Sequence, residues 1–116
     1  MLFTVTSGLL DACVLSALRG GDSYGYELTT SIKSMVDISE STLYPVLKRL
    51  QRENLLTTYD EAVSGRNRRY YSITETGLGR MNEYINEWEA YKTRIDRILL
   101  THSNAVIPMR GGVVND

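Results

Sequence analysis

The sequence has 116 residues and one cysteine, Cys13, enough chain for one small domain with an extension and too little for two cores of ordinary size. Hydrophobic residues make up 42% and charged residues 23%, a globular balance that excludes wholesale disorder, and the lone cysteine excludes an intramolecular disulfide or a cysteine metal cluster. The net charge of −1 conceals an uneven distribution: residues 48–69 set Lys48, Arg49, Arg52, Arg66, Arg68 and Arg69 against Glu53, Asp60 and Glu61, while the chain up to Glu40 is acidic.

Leu9, Leu10, Cys13, Val14, Ala17 and Leu18 recur with helical spacing and Gly20-Gly21 supplies a stop, which predicts a first helix from Ser7 to Arg19. No basic segment precedes this apolar run and Asp11 interrupts it, so it does not read as a signal peptide. Nowhere does the chain approach the ~20 apolar residues that span a bilayer, and with the lone cysteine this predicts a soluble, cytoplasmic protein without a membrane partner. Asp22-Ser23 can cap a second helix whose buried stripe is Leu28, Ile32, Met35 and Val36. Tyr24-Gly25-Tyr26 falls in its first turn, where the glycine reports close backbone packing and Tyr24 is a candidate phosphate contact.

A third helix, capped by Ser39 or Ser41, has two chemically different faces. At about 100° per residue Leu43, Val46, Leu47 and Leu50 gather on one side, and Ser41, Tyr44, Pro45, Lys48 and Arg52 on the other. The first seeks a core. The second carries hydroxyls, a phenol and cations at the N-terminal end of a helix, the equipment of a surface that meets a polyanion. Pro45 also disfavours helical geometry at Tyr44, which predicts an irregular N-terminal turn. Three short-linked helices of this kind make a helix-turn-helix, with the third as the DNA-recognition helix.

After Asn54 the period changes. Leu56-Thr57-Thr58-Tyr59 and Arg69-Tyr70-Tyr71-Ser72-Ile73 flank Ser64-Gly65 and predict a β-hairpin, whose tip and returning arm carry Gly65, Arg66, Asn67, Arg68, Arg69 and Tyr70 as an arginine cluster on a mobile loop. A charge cluster is usually a solvated surface, but directly behind a recognition helix it reads as a wing that reaches phosphates or the minor groove. Thr74 caps a last helix that reaches about His102. Met81, Trp88 and Ile95 are spaced by seven, and Leu78, Ile85 and Leu99 form a second series in which Tyr91 stands in for Lys92. The small core cannot cover so long a stripe, so a second copy of the chain should. The expected organisation is a mainly α (α+β) winged helix-turn-helix domain over residues 1–74, with a two-stranded wing. A dimerisation helix follows over 75–102, and a disordered tail over 103–116.

Three blocks then carry a likeness: Tyr24-Gly25-Tyr26-Glu27-Leu28, Ser41 through Leu50, and Gly65 through Gly77. In this order and spacing, over about Leu9 to Leu99, the chain resembles the PadR-like winged-helix transcriptional regulators, in the small subgroup with a single C-terminal helix. The resemblance implies a homodimer joined through the last helix, binding a two-fold promoter site in double-stranded DNA and usually repressing it. It places Thr42, Tyr44 and Lys48 on the DNA-facing helix and Arg66 to Arg69 on the wing; Ser39, Arg49 and Arg52 complete the candidate DNA-binding set. Some members of that family hold flat aromatic or cationic molecules between tryptophans of the two last helices, and Trp88 stands at the matching place counted from Thr74. The simpler reading is that Trp88 packs the dimer seam.

The sequence holds no catalytic constellation and implies no cofactor. His102 stands alone near a helix end, Cys13 lies on an apolar stripe, and Glu87 and Glu89 diverge. The competing function is a winged helix whose third helix meets another protein rather than DNA.

Overall fold

The computed structural model describes residues 6–101; the expected tail and His102 lie outside them. The order is α1 (Ser7–Ala17), β1 (Ser23–Tyr24), α2 (Gly25–Met35), α3 (Glu40–Arg52), β2 (Leu56–Val63), β3 (Arg66–Ile73) and α4 (Glu75–Leu99). Two compact units divide between Tyr84 and Ile85. No helix among the described residues is long and apolar enough to cross a membrane.

The core of the first unit joins Leu10, Val14, Leu15 and Leu18 of the α1 segment to Leu28 and Ile32 of α2 and to Leu43, Val46, Leu47 and Leu50 of α3. Leu55, Leu56 and Met81 close it. Helix α1 ends at Ala17, earlier than Arg19, because Leu18 and Arg19 turn back to the Leu15 and Ser16 carbonyls in a tighter i to i−3 pattern. The α2 stripe differs more from expectation. Thr29 is fully buried, its hydroxyl donating to the Tyr26 carbonyl, whereas Met35 is 70% exposed and Val36 half-buried.

Neither Asp22 nor Ser23 caps α2 in the expected way. Ser23 and Tyr24 form a short strand antiparallel to β3, pairing with Tyr71 and Tyr70. Asp22 is engaged by the Tyr59 hydroxyl at 2.7 Å, and Ser23 donates to Glu27 at 2.8 Å. The wing is therefore the outer part of a three-stranded sheet ordered β1-β3-β2.

Ser39 caps α3, its hydroxyl accepting from the Thr42 amide at 3.3 Å, and the helix is regular from Glu40 despite Pro45. Burial of four aliphatic side chains on the inner face outweighs the local bias at Tyr44. The missing Pro45 N–H leaves the Ser41 carbonyl without its usual i+4 donor, and that face is open to water. Asn54, at φ 62°, stops the helix: its amide returns to Gln51 and that of Leu55 to Leu50, while the Leu50 and Leu55 side chains are both buried.

Ser64 and Gly65, at φ 53° and 76°, form the two-residue turn whose twist suits a hairpin. Pairing then runs without a break from Val63↔Arg66 to Leu56↔Ile73. The arginine-rich segment, expected as a mobile loop over the tip and returning arm, is thus strand from Arg66 onward. Thr74 begins α4 as expected, its hydroxyl donating to the Asn54 carbonyl at 2.7 Å and accepting from the Gly77 amide at 2.9 Å.

Candidate nucleic-acid interface

The outer face of α3 exposes Ser41, Thr42, Tyr44, Pro45, Lys48 and Arg52, with Ser39 exposed at its cap. The Ser39 hydroxyl lies 3.0 Å from those of both Ser41 and Thr42, so three rotatable hydroxyls cluster where the first α3 amides lack helical partners. Among the described residues neither Lys48 nor Arg52 makes an ion pair. Their charges are available to a partner.

Arg49 is placed differently. It turns inward along the flank of α3 and pairs with Asp11 of α1 and, at 3.5 Å, with Glu53. Asp11 is 4% exposed, and its other carboxylate oxygen accepts from the Tyr84 hydroxyl at 3.1 Å. Burial, followed by the Asp11 charge, raises the pKa of that phenol.

The hairpin register divides the wing. Arg66, Arg68 and Tyr70 share one face with Glu61, Tyr59 and Tyr24; Asn67, Arg69 and Tyr71 share the other with Asp60, Thr58 and Ser23. On the first face Tyr59 and Tyr70 stack with centroids 5.4 Å apart, Tyr24 meets Tyr70 edge-on at 5.8 Å, and the Arg68 guanidinium lies 4.3 Å above the Tyr24 ring. Tyr24 thus supports an arginine through cation–π attraction. The hydrogen bond to Asp22 holds the Tyr59 phenol up at about 12. On the second face Arg69 pairs with Asp60 at 3.1 Å. Arg66 and Asn67 stand exposed beside the turn.

Sequence reasoning missed the Tyr59–Tyr70 ladder and the Asp11 node. The ladder had a readable signal, since the two tyrosines are equidistant from the Ser64-Gly65 turn. The node had none, as its partners are far apart in the chain.

The expected seam residues on α4 also divide. Met81 is 3% exposed and belongs to the core of the first unit. Ile85 and Ile95 are half-buried, and Leu78, Trp88, Tyr91 and Leu99 are exposed. The Trp88 and Tyr91 rings lie 6.4 Å apart, and the Arg94 guanidinium is 5.9 Å from the Tyr91 ring centre.

Known proteins are similar to this chain in sequence and fold. Residues 14–83 match the Transcriptional regulator PadR-like family. A Lysinibacillus sphaericus protein is 35% identical over 97 residues, covering 79% of this chain and 89% of the relative. The crystal structure of smu.1704 from Streptococcus mutans superposes with a TM-score of 0.81 at 35% identity, over 93% of this chain and 99% of that one. A PadR-like transcriptional regulator from Bacillus cereus, BC4206, gives 0.75 at 34% identity, over 82% and 95%. The chain belongs to the PadR-like family of transcriptional regulators.

Proposed function

We propose that the protein is a cytoplasmic homodimeric repressor that binds a two-fold site in duplex DNA. The observation that carries this reading is the pair of free cations, Lys48 and Arg52, on the exposed face of α3 beside the Ser39, Ser41 and Thr42 hydroxyls. Tyr44, Pro45 and Lys48 would face base edges or the adjoining backbone, with Arg66, Asn67, Arg68 and Arg69 tracking phosphates. Tyr24 and Arg49 act in this scheme by supporting other residues. Fluorescence anisotropy of the full chain with the DNA upstream of its gene, over a series of salt concentrations, tests the reading. Affinity should fall steeply with salt, and Lys48→Ala should weaken binding about tenfold and reduce the log–log salt slope by about one. Light scattering should show the same oligomer for both. Binding that ignores both salt and Lys48, or tight binding to a protein partner alone, would reject DNA readout.

The distal α4 face supports a seam. Trp88, Tyr91, Ile98 and Leu99 are all exposed on this one helix, and large apolar side chains clustered in water are a common mark of an interface. Trp88→Ala is expected to raise the dimer dissociation constant about tenfold in sedimentation equilibrium, a large aromatic being a typical interface anchor. The same tryptophan could stack a flat aromatic or cationic effector that releases DNA, which quenching of its fluorescence would report. Unchanged dimer affinity in Trp88→Ala would remove it from the seam.

A further inference from the structure

A recognition helix must be held at one rotation about its own axis if its side chains are to meet base edges in register. Packing of Leu43, Val46, Leu47 and Leu50 decides which face of α3 points inward, but the hydrophobic term is itself non-directional, so the remaining rotational freedom is limited by close packing and by polar links. Directional bonds remove that freedom. Among the described residues α3 has three polar side-chain links to other elements. Lys33–Glu40, at 3.6 Å, and Gln51–Thr58, at 3.3 Å, lie at the surface, where water competes. The third, Asp11–Arg49, has a buried member, and there the surroundings strengthen the bond and penalise its loss.

The same carboxylate is held from a second side. One Asp11 oxygen takes Arg49 from α3 and the other takes the Tyr84 hydroxyl from α4, so a single buried group joins three helices. Tyr84 is followed one turn along α4 by Trp88, the first residue of the proposed seam. Neither Asp11 nor Tyr84 lies on the polar face of α3 or on the wing.

We infer that Asp11 and Tyr84 are positioning residues for DNA recognition: Asp11 sets the roll of α3 through Arg49, and Tyr84 ties that roll to α4. The inference rests on the DNA-binding reading above. A rotation of α3 misplaces Tyr44 and Lys48 against bases yet leaves the count of nearby cations unchanged, so it lowers discrimination more than general affinity.

The test compares the full-length chain with Tyr84→Phe and Asp11→Asn. The probes are a duplex that the wild-type chain selects from a random-sequence pool and a scrambled duplex of equal length and composition. Tyr84→Phe should weaken binding to the selected duplex about tenfold while scrambled-duplex affinity stays within about twofold and the salt slope is unchanged. Asp11→Asn, which retains the shape of the side chain, should shift the ratio in the same direction. Unchanged ratios in both variants would overturn the inference. So would parallel loss of selected and scrambled binding together with helical circular dichroism, since the node would then serve folding alone. A wild-type chain that selects no site would instead reject the DNA-binding reading itself.

Discussion

Gly77→Ala is expected to cost about 3 kcal/mol or more, because overpacking against a backbone group has no inexpensive relief. A Cβ at this position would overlap the Leu55 carbonyl oxygen and lie 2.8 Å from Ile73 Cγ1. An exposed helical glycine normally gains about 1 kcal/mol on changing to alanine, so the sign here is reversed by contact. The Leu55 carbonyl cannot move aside freely, since it accepts the Thr74 amide at 3.1 Å, and the Thr74 hydroxyl is committed to Asn54 and Gly77. Three structural tasks thus converge on one junction: ending α3, starting α4 and seating β3. Urea and thermal unfolding should show the loss, with the melting temperature falling on the order of 15 °C. Gly79, with nothing within 4 Å of an added Cβ, is the control, and alanine there should be neutral or stabilising. A Gly77→Ala chain that melts with the wild type would show that the Leu55–Thr74 backbone contact yields.

The second large effect is Arg49→Met. Methionine keeps most of the aliphatic stem but strands the Asp11 carboxylate, which is 4% exposed and keeps only the Tyr84 hydroxyl. Breaking a fully buried pair from one side costs about 3 kcal/mol or more, but the Arg49 side chain is one-third exposed, so a loss of about 2 kcal/mol is expected. Replacing both charges with apolar groups of similar size, by contrast, is often close to neutral. Asp11→Leu combined with Arg49→Met should therefore recover most of the loss, and a double-mutant cycle in urea gives the coupling. A single Arg49→Met change within about 0.5 kcal/mol of wild type would mean that water reaches Asp11 and the pair contributes little.

Much of this architecture is written locally. The start of α1 near Ser7, the Ser39 and Thr74 caps, the inward stripe of α3 and the turn at Ser64-Gly65 each depend on residues within a few positions of one another. The elements that escaped sequence reading depend on distant partners. β1 has only two residues and exists because Ser23 and Tyr24 find Tyr71 and Tyr70. Arg49 occupies the flank of the helical wheel, from which a cation can turn toward solvent or toward the core; Asp11, on another helix, decides. Met81 shares a seven-residue spacing with Trp88 and Ile95, but spacing cannot say what covers each turn, and its turn belongs to the first unit. For the candidate interface the residue types were legible while their engagements were not: the position of Arg68 over Tyr24 and the pairing of Arg69 with Asp60 follow from the register of the hairpin.

That hairpin also bears on the thermodynamics of binding. Arginines on a slack loop would lose conformational freedom when they settled on a phosphate chain, an opposition of roughly 1 kcal/mol for each ordered residue. Here the paired strands order the backbone while the protein folds, and the Tyr24 ring and Asp60 hold the Arg68 and Arg69 side chains. Under the proposed DNA-binding reading the wing would meet DNA with its backbone already ordered, so association should release counterions without a matching loss of backbone entropy.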